Sequence, residues 1–224
     1  MNIHKGHRQH MRARFIQGGL EGFADHEALE LLLYYAIPQK DTNPLAHALM
    51  ERYGSLSAVL SAPIEDLIKI EGIGERTAVL LHLVPRMEQK ARLSETEQVL
   101  DSTGRIGAYL LERFSLERDE VVYQLCLDRK GRLLACKCLG EGGAASVDLD
   151  VRRLVENALL FSASGVVLAH NHPSGVALPS PEDYAATDRA RAALETVGVE
   201  LLDHIIIADR DFVSLADSGC LRGY

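Results

Sequence analysis

The stretch GVVLAHNHPSGVALPSPED, residues 165–183, decides how the second half of the chain folds. It begins with five apolar residues, which are typical of a strand in the middle of a sheet. The polar segment that follows, from His170, is predicted to be a loop because it contains several prolines and a glycine. Ser180 next to Pro181 is typical of a helix start, and Gly198 is expected to end that helix.

The residues around this stretch predict an alternation of strands and helices. Runs of apolar and β-branched residues indicate strands, and apolar residues that recur three and four positions apart indicate helices. The predicted strands span 121–128, 132–140, 145–149, 165–169, 199–208 and 211–216, and the predicted helices span 103–114, 151–163 and 181–197. Residues 102–224 are therefore expected to form an α/β domain.

Residues 1–93 are predicted to form a small all-α domain, joined to the second domain by a polar linker at 94–101. Capping and helix-breaking residues mark several short helices in this half. Asp25 is expected to cap one helix, while Pro38 and Gly54 are expected to end helices. The chain is thus expected to carry two domains of different class.

The turn IEGIGER, residues 70–76, resembles a helix-hairpin-helix. Gly72 and Gly74 permit a tight turn and a close approach to the backbone. In that motif the backbone N–H groups hold a nucleic-acid phosphate, and Arg76 would add positive charge. Glycine pairs also join ordinary helical hairpins, and two glutamates flank this turn. DNA contact through residues 1–92 and plain helix packing therefore both stay open.

Charge is distributed unevenly along the chain. Residues 1–92 carry no net charge, and residues 93–224 carry the whole net charge of −8. The acidic second half disfavours a protein that wraps nucleic acid. The N-terminal tip is basic, with Arg8, Arg12 and Arg14, and is either a local phosphate contact or a solvated arm.

Composition indicates the compartment. No stretch approaches the ~20 apolar residues that a membrane helix needs, so no membrane partner is expected. No apolar segment follows the basic N-terminus, so no secretory signal is expected. Four cysteines are too few for a disulfide framework, and a cytoplasmic protein with reduced thiols is predicted.

Two histidines separated by one residue, His170 and His172, follow the apolar strand. Strand side chains repeat every second position, so both imidazoles can point to one place. Asp183, on the first turn of the next helix, can supply a third ligand. This donor set suits Zn²⁺ with one position open for water, and iron or manganese would accept the same ligands. The alternative is a polar strand end beside a helix-start carboxylate, without metal.

The strings HNHP, SPED, GVELLDHIII and DFVSL resemble the bacterial RadC proteins, within the MPN/JAB metallopeptidases and their JAMM motif. The first half, GFADHEALELLLYYAIPQKDTNPLAHALMERYGSLSAVL, resembles the same family, so the resemblance covers nearly the whole chain. It implies a cytidine-deaminase-like α/β/α fold. It also implies zinc held by His170, His172 and Asp183, and peptidase or isopeptidase chemistry on a peptide or isopeptide substrate.

The resemblance further implies roles in catalysis. Glu120, just before the first core strand, would be the general base, and Ser180 would hydrogen-bond the tetrahedral intermediate. Asp119 and Glu117 compete with Glu120, which is otherwise a solvated acid at a strand edge. Ser180 is otherwise a helix cap, and both of its roles can coexist because one hydroxyl can accept and donate.

Other functions stay open. Arg153 and residues 141–144 depart from the family pattern, which leaves the substrate undefined. A DNA-associated, repair-related protein with a structural or vestigial metal site is the main alternative, and a metal-dependent nuclease is a third. A deaminase of the same fold is excluded because H-x-E and P-C-x-x-C are both absent. His204 is expected near a strand end, in a structural role or supporting the ligands.

Overall fold

The structure is a computed structural model that describes residues 3–94, 98–142 and 149–221. Contacts between Cα atoms divide the chain into two compact units, Met1–Glu88 and Gln89–Tyr224. Among the described helices, none is both long and apolar enough to cross a membrane.

Three sequence predictions fall partly outside the described residues. Of the strand predicted at 145–149, only Leu149 is described, and it belongs to no strand. The departure from the family pattern at 141–144 is described only in its first half, and the predicted linker at 94–101 is described apart from residues 95–97.

The first unit is all-helical, which confirms the class predicted for the first domain. Its helices are α1 (Ile3–Gly18), α2 (Asp25–Ala36), α3 (Asn43–Tyr53), α4 (Leu56–Leu60), α5 (Ile64–Leu67) and α6 (Glu75–Ser94), the last of which continues beyond this unit. Buried leucines from α2, α3, α5 and α6 pack together in its core: Leu29, Leu33, Leu49, Leu67 and Leu81.

Two local predictions in this unit have different outcomes. The cap predicted at Asp25 is wrong, because Ala24 occupies the cap position of α2. The Glu27 carboxylate accepts a hydrogen bond from the Ala24 N–H at 3.0 Å and supplies half of a capping box. Gly54 ends α3 in the left-handed conformation, with φ 80°, as predicted.

The basic N-terminal segment is a helix, α1, and not a solvated arm. Arg8 donates hydrogen bonds to the carbonyl oxygens of Ile37 at 2.8 Å and Pro38 at 2.7 Å. Arg14 forms an ion pair with Glu27 at 2.8 Å. Both arginines therefore bind the first unit itself, which weakens the case for a free phosphate-binding tip.

The second unit is built on a five-stranded mixed sheet. Its strands are β1 (Glu120–Leu127), β2 (Leu133–Gly142), β3 (Gly165–Asn171), β4 (Glu200–Ala208) and β5 (Asp211–Ser214), and its further helices are α7 (Thr103–Phe114), α8 (Val151–Leu160) and α9 (Pro181–Glu195). The strand order is β2-β1-β3-β4-β5. Only β3 and β4 run parallel among these neighbours, and α9 connects them in a β-α-β unit.

Hydrophobic cores lie on both faces of the sheet. On one face α8 and α9 pack against it through Leu154, Leu168 and Leu194. On the other face α7 packs against it through Leu110 and Leu125. This α/β/α layering confirms the fold class predicted for the second domain.

β3 is longer than the sequence predicts. It lies between β1 and β4, with Val122 opposite His170 and Ile207 opposite Asn171. His170 and Asn171 therefore belong to the strand, and the loop begins only at His172. Pairing with two strands from distant parts of the sequence extends β3 into a segment whose local composition indicates a loop.

Candidate metal centre

The structure brings His170, His172 and Asp183 together. His170 Nε2 lies 2.9 Å from His172 Nε2 and 3.1 Å from Asp183 Oδ1. His172 Nε2 lies 3.6 Å from Asp183 Oδ2. One ligand atom of each residue lies within 4.8 Å of the others, and no second group of this kind occurs in the described part of the chain.

These separations suit a single small ion. Donor atoms bound tetrahedrally about 2.1 Å from Zn²⁺ lie roughly 3.4 Å from one another. His170 Nε2 lies 2.9 Å from His172 Nε2 and 3.1 Å from Asp183 Oδ1, somewhat closer than that value, and all three ligand atoms lie within 4.8 Å of one another. Two imidazole nitrogens and one carboxylate oxygen are also a donor set that zinc accepts. The residues present therefore fit the ion that the sequence predicts.

His172 is held with the correct nitrogen facing this point. It follows β3 directly, and its backbone N–H donates to the Ile207 carbonyl at 2.7 Å. Its side-chain Nδ1 lies 2.9 Å from the carbonyl oxygen of Val176. Because a carbonyl can only accept, Nδ1 carries a proton, and Nε2 is the nitrogen that can offer a lone pair to a metal.

Asp183 is oriented by the start of α9. The Ser180 N–H and hydroxyl both donate to Asp183 Oδ2, at 2.7 and 2.8 Å, and the Asp183 N–H donates back to Ser180 Oγ at 3.2 Å. This capping box confirms Ser180 as the helix cap and leaves Oδ1 facing His170. Burial alone would raise the pKa of Asp183, but hydrogen bonds from His170 and Ser180 outweigh it and lower the pKa below its usual range.

His204 lies directly behind His170. It sits in the middle of β4, not near a strand end as predicted, and its ring is 3% exposed. His170 Nδ1 lies 2.9 Å from His204 Nε2, and Thr187 Oγ1 lies 2.6 Å from His204 Nδ1. Burial, and then the charge of His170, lower the pKa of His204 to about 3, so the ring is neutral at pH 7. Sequence reasoning missed Thr187, although its position one helical turn after Asp183 was a usable signal.

Glu120 lines the same cavity as two of the three ligands. It is the first residue of β1, and it lines a cavity of about 270 Å³ together with His170 and Asp183. Of the two competing acids, Glu117 accepts a hydrogen bond from the Tyr123 hydroxyl at 2.8 Å, and Tyr123 packs on the opposite face of the sheet. Neither competing acid lines this cavity.

The backbone on both sides of Glu120 is fixed by Asn171. Asn171 Oδ1 accepts from the Val121 N–H at 2.8 Å, and its Nδ2 donates to the Asp119 carbonyl oxygen at 2.9 Å. Sequence reasoning missed this contact because the two segments are 50 residues apart.

The predicted nucleic-acid residues occupy one exposed turn. Gly72 and Gly74 are exposed between α5 and α6, Arg76 is exposed in the first turn of α6, and Ile73 is buried in the helical core. Gly72 has φ 91°, a left-handed conformation that favours glycine. A side-chain carbon built on Gly74 would meet no atom within 4 Å. The turn thus presents its backbone outward.

The fold and this site together define a class of protein. A central strand ending in H-x-H, with an aspartate at the start of the helix that follows it, in an α/β/α domain, is the arrangement of a JAB-type domain.

Comparison with known proteins identifies the family. The family model described as "RadC-like JAB domain" matches residues 100–220. A UPF0758 protein of Rhodobacter capsulatus is 37% identical over 213 residues, which cover 94% of this chain and 100% of the relative. A UPF0758 protein of Ruegeria pomeroyi is 34% identical over 220 residues, covering 97% and 98%. One of Fusobacterium nucleatum is 30% identical over 226 residues, covering 97% of each chain. The chain belongs to the RadC-like JAB domain family.

Proposed function

We propose that this chain is a zinc-dependent hydrolase that cleaves peptide or isopeptide bonds. The observation that carries the proposal is the convergence of His170 Nε2, His172 Nε2 and Asp183 Oδ1 beside the cavity that Glu120 lines. Membership of a JAB-domain family supports hydrolysis as the kind of reaction. Peptide and isopeptide bonds are proposed as substrates on the resemblance to JAB metallopeptidases.

The three side chains are the resident ligands in this proposal. Three protein ligands with a fourth position open are typical of catalytic zinc sites, whereas structural sites use four. When bound there, Zn²⁺ lowers the pKa of a coordinated water to about 7 and polarises the substrate carbonyl. The capping box at Ser180 holds Asp183 Oδ1 toward the ion.

Glu120 is the general base in this mechanism. Its carboxylate takes the proton of the attacking water and returns it to the nitrogen of the leaving amine. For this its oxygen must come within roughly 2.6–3.2 Å of the water in a productive complex. The position of Glu120 on the cavity wall supports this role, and the Asn171 contacts limit movement of its backbone.

Ser180 has a second role only under one condition. Its single hydroxyl proton is donated to Asp183 Oδ2 in the structure, so that proton must turn away before it can stabilise an oxyanion. The Ser180 N–H continues to hold Oδ2 when this happens. Orienting Asp183 is therefore the first function of Ser180.

The proposal is tested by hydrolysis assays on isopeptide-linked and short peptide libraries. Protein stripped with a chelator and reloaded with zinc should cleave a substrate, while stripped protein and zinc-loaded Glu120→Gln should not. Asp119→Asn, a neighbouring acid that does not line the cavity, is the matched control and should stay active. Cleavage that survives metal removal or Glu120→Gln would contradict the mechanism. Stoichiometric zinc without cleavage of any library member would favour a structural or vestigial site.

DNA contact by residues 1–92 is a second candidate function, and it is compatible with the first. The exposed turn at Gly72, Gly74 and Arg76 supports it, because an outward-facing glycine backbone next to a helix start can approach a phosphate. Because Arg8 and Arg14 bind within the first unit, the proposal centres on this turn.

A cytoplasmic location is part of the proposal. The cysteines at positions 126, 136, 138 and 220 are all free thiols, which suits a reducing compartment.

A further inference from the structure

His204 is a buried imidazole that supplies no atom to the candidate metal centre. Both of its ring nitrogens nevertheless have partners, His170 on one side and Thr187 on the other. A buried polar group without a partner is costly, so these two contacts are required for the ring to be buried at this position. Their direction can be worked out from the number of protons available.

The direction is set at Thr187. Its hydroxyl donates to the backbone carbonyl oxygen of Asp183 at 2.6 Å. A hydroxyl has one proton, so Thr187 Oγ1 can only accept from His204 Nδ1, which lies 2.6 Å away. His204 Nδ1 therefore carries a proton.

The direction then passes to His170. A second proton, on Nε2, would make His204 a charged ring at a position that is 3% exposed, which is costly, so Nε2 has a lone pair. That atom lies 2.9 Å from His170 Nδ1. His170 Nδ1 must donate to it and so carries a proton. When His170 binds a metal, its lone pair is then on Nε2, the atom that faces His172 and Asp183.

We propose that His204 and Thr187 are positioning residues that fix the tautomer and ring orientation in which His170 binds the metal. The inference rests on the proposed metal centre. The hydrogen bonds run from the Asp183 backbone through Thr187 and His204 to the His170 ring. They therefore connect two proposed ligands that belong to different elements, α9 and β3. Loss of such partners of a ligating histidine lowers metal affinity by about 10–100-fold.

Three variants of the full chain separate positioning from packing. His204→Leu removes both hydrogen bonds, and Thr187→Val removes the hydroxyl at nearly constant shape. His204→Gln can still accept from His170 and donate to Thr187. Gln124→Leu is the matched control, because Gln124 is also fully buried in the sheet but is bonded to Leu154 and Asn157, not to a ligand.

Zinc affinity is measured by competition with a chromophoric chelator, and the protonated nitrogen of His170 by long-range ¹H–¹⁵N NMR of zinc-free protein. We expect His204→Leu to bind zinc about 10–100-fold more weakly, Thr187→Val to follow it in the same direction, and His204→Gln to restore most of the affinity. Gln124→Leu should lose stability and keep wild-type affinity. In wild-type protein, the proton should be on Nδ1 of His170.

Two results would overturn the inference. One is wild-type zinc affinity in both His204→Leu and Thr187→Val. The other is a His170 Nδ1 that carries no proton in zinc-free wild-type protein. If His204→Leu does not fold, Thr187→Val decides the affinity test. Failure of the wild-type protein to bind zinc would overturn the proposed function. The hydrogen-bond direction would still be supported if His170 carries its proton on Nδ1 in wild-type protein and loses it from that atom in Thr187→Val.

Discussion

Asn171 Oδ1 accepts a hydrogen bond from the backbone N–H of Val121 at 2.8 Å. The same side-chain amide donates to the Asp119 carbonyl oxygen, so its two contacts enclose Glu120 on both sides. Asn171 is the middle residue of H-x-H. Two of three consecutive residues, His170 and His172, are therefore proposed metal ligands. The residue between them, Asn171, holds the strand end that carries the proposed base.

We expect Asn171→Leu to separate these two functions. A buried backbone N–H and a partly buried carbonyl lose their partner, so the free energy of unfolding should fall by about 1–3 kcal/mol. Zinc affinity should stay within a few-fold of wild type, because neither histidine depends on the amide. Turnover should fall ~10²-fold as Glu120 loses its position. Native-state hydrogen exchange of the Val121 amide checks the contact directly, and unchanged protection of that amide would contradict it.

The metal centre predicts the zinc content of the purified protein. Wild-type protein should contain about one zinc ion per chain, and a double variant His170→Ala/His172→Ala should contain almost none, because one ligand of three remains. His26→Ala/His47→Ala is the matched control, since it removes a stacked histidine pair outside this group of ligands. Elemental analysis gives the stoichiometry. Stoichiometric zinc in the His170/His172 variant would rule out this site.

The exposed turn predicts DNA binding that depends on its backbone. Gly74→Val should weaken binding by blocking phosphate approach, and it should fold because its side chain meets open space. Arg76→Gln should weaken binding and reduce the dependence of log affinity on log salt by about one phosphate contact. Fluorescence anisotropy at several salt concentrations measures both. Arg129→Gln, an exposed arginine of the other unit, is the control, and equal losses in all three variants would exclude the turn as the contact.

The lowered pKa of Glu27 predicts that part of the chain's stability is lost in acid. A hydrogen bond from Arg14, and then one from the Ala24 N–H, lower the pKa of Glu27 from 4.5 to about 2. Between those values the unfolded chain binds more protons than the folded chain. The stabilisation by Glu27 is therefore complete above the upper value and is lost as the pH falls toward the lower one.

Glu27→Gln should lower the free energy of unfolding at pH 7 by about 1 kcal/mol and flatten its decline in acid. Denaturant titrations at several pH values, followed by circular dichroism, measure this. Glu21→Gln is an exposed acid of the same unit and makes the same change in charge. An equally steep acid decline in Glu27→Gln and wild-type protein would show that Glu27 does not contribute.

Much of the molecule follows from local sequence. GVVLA predicts the central strand because only a strand with neighbours on both edges and cores on both faces is apolar throughout. Gly54 ends α3, and Ser180 begins α9, because capping depends on a few adjacent residues. His170, His172 and Asp183 could be predicted as a group because strand and helix periodicity place side chains that are close in sequence.

Only the tertiary structure decided which distant groups support that site. His204 lies behind His170 because β4 pairs with β3 in parallel, and Asn171 reaches Val121 because β1 pairs with β3 on its other edge. The same strand pairing extends β3 through His170, where the sequence predicts a loop. Contacts within the first unit bind Arg8 and Arg14, for which the sequence left a phosphate contact and a solvated arm both open. Local propensity cannot supply these contacts, because each depends on the register between segments tens of residues apart.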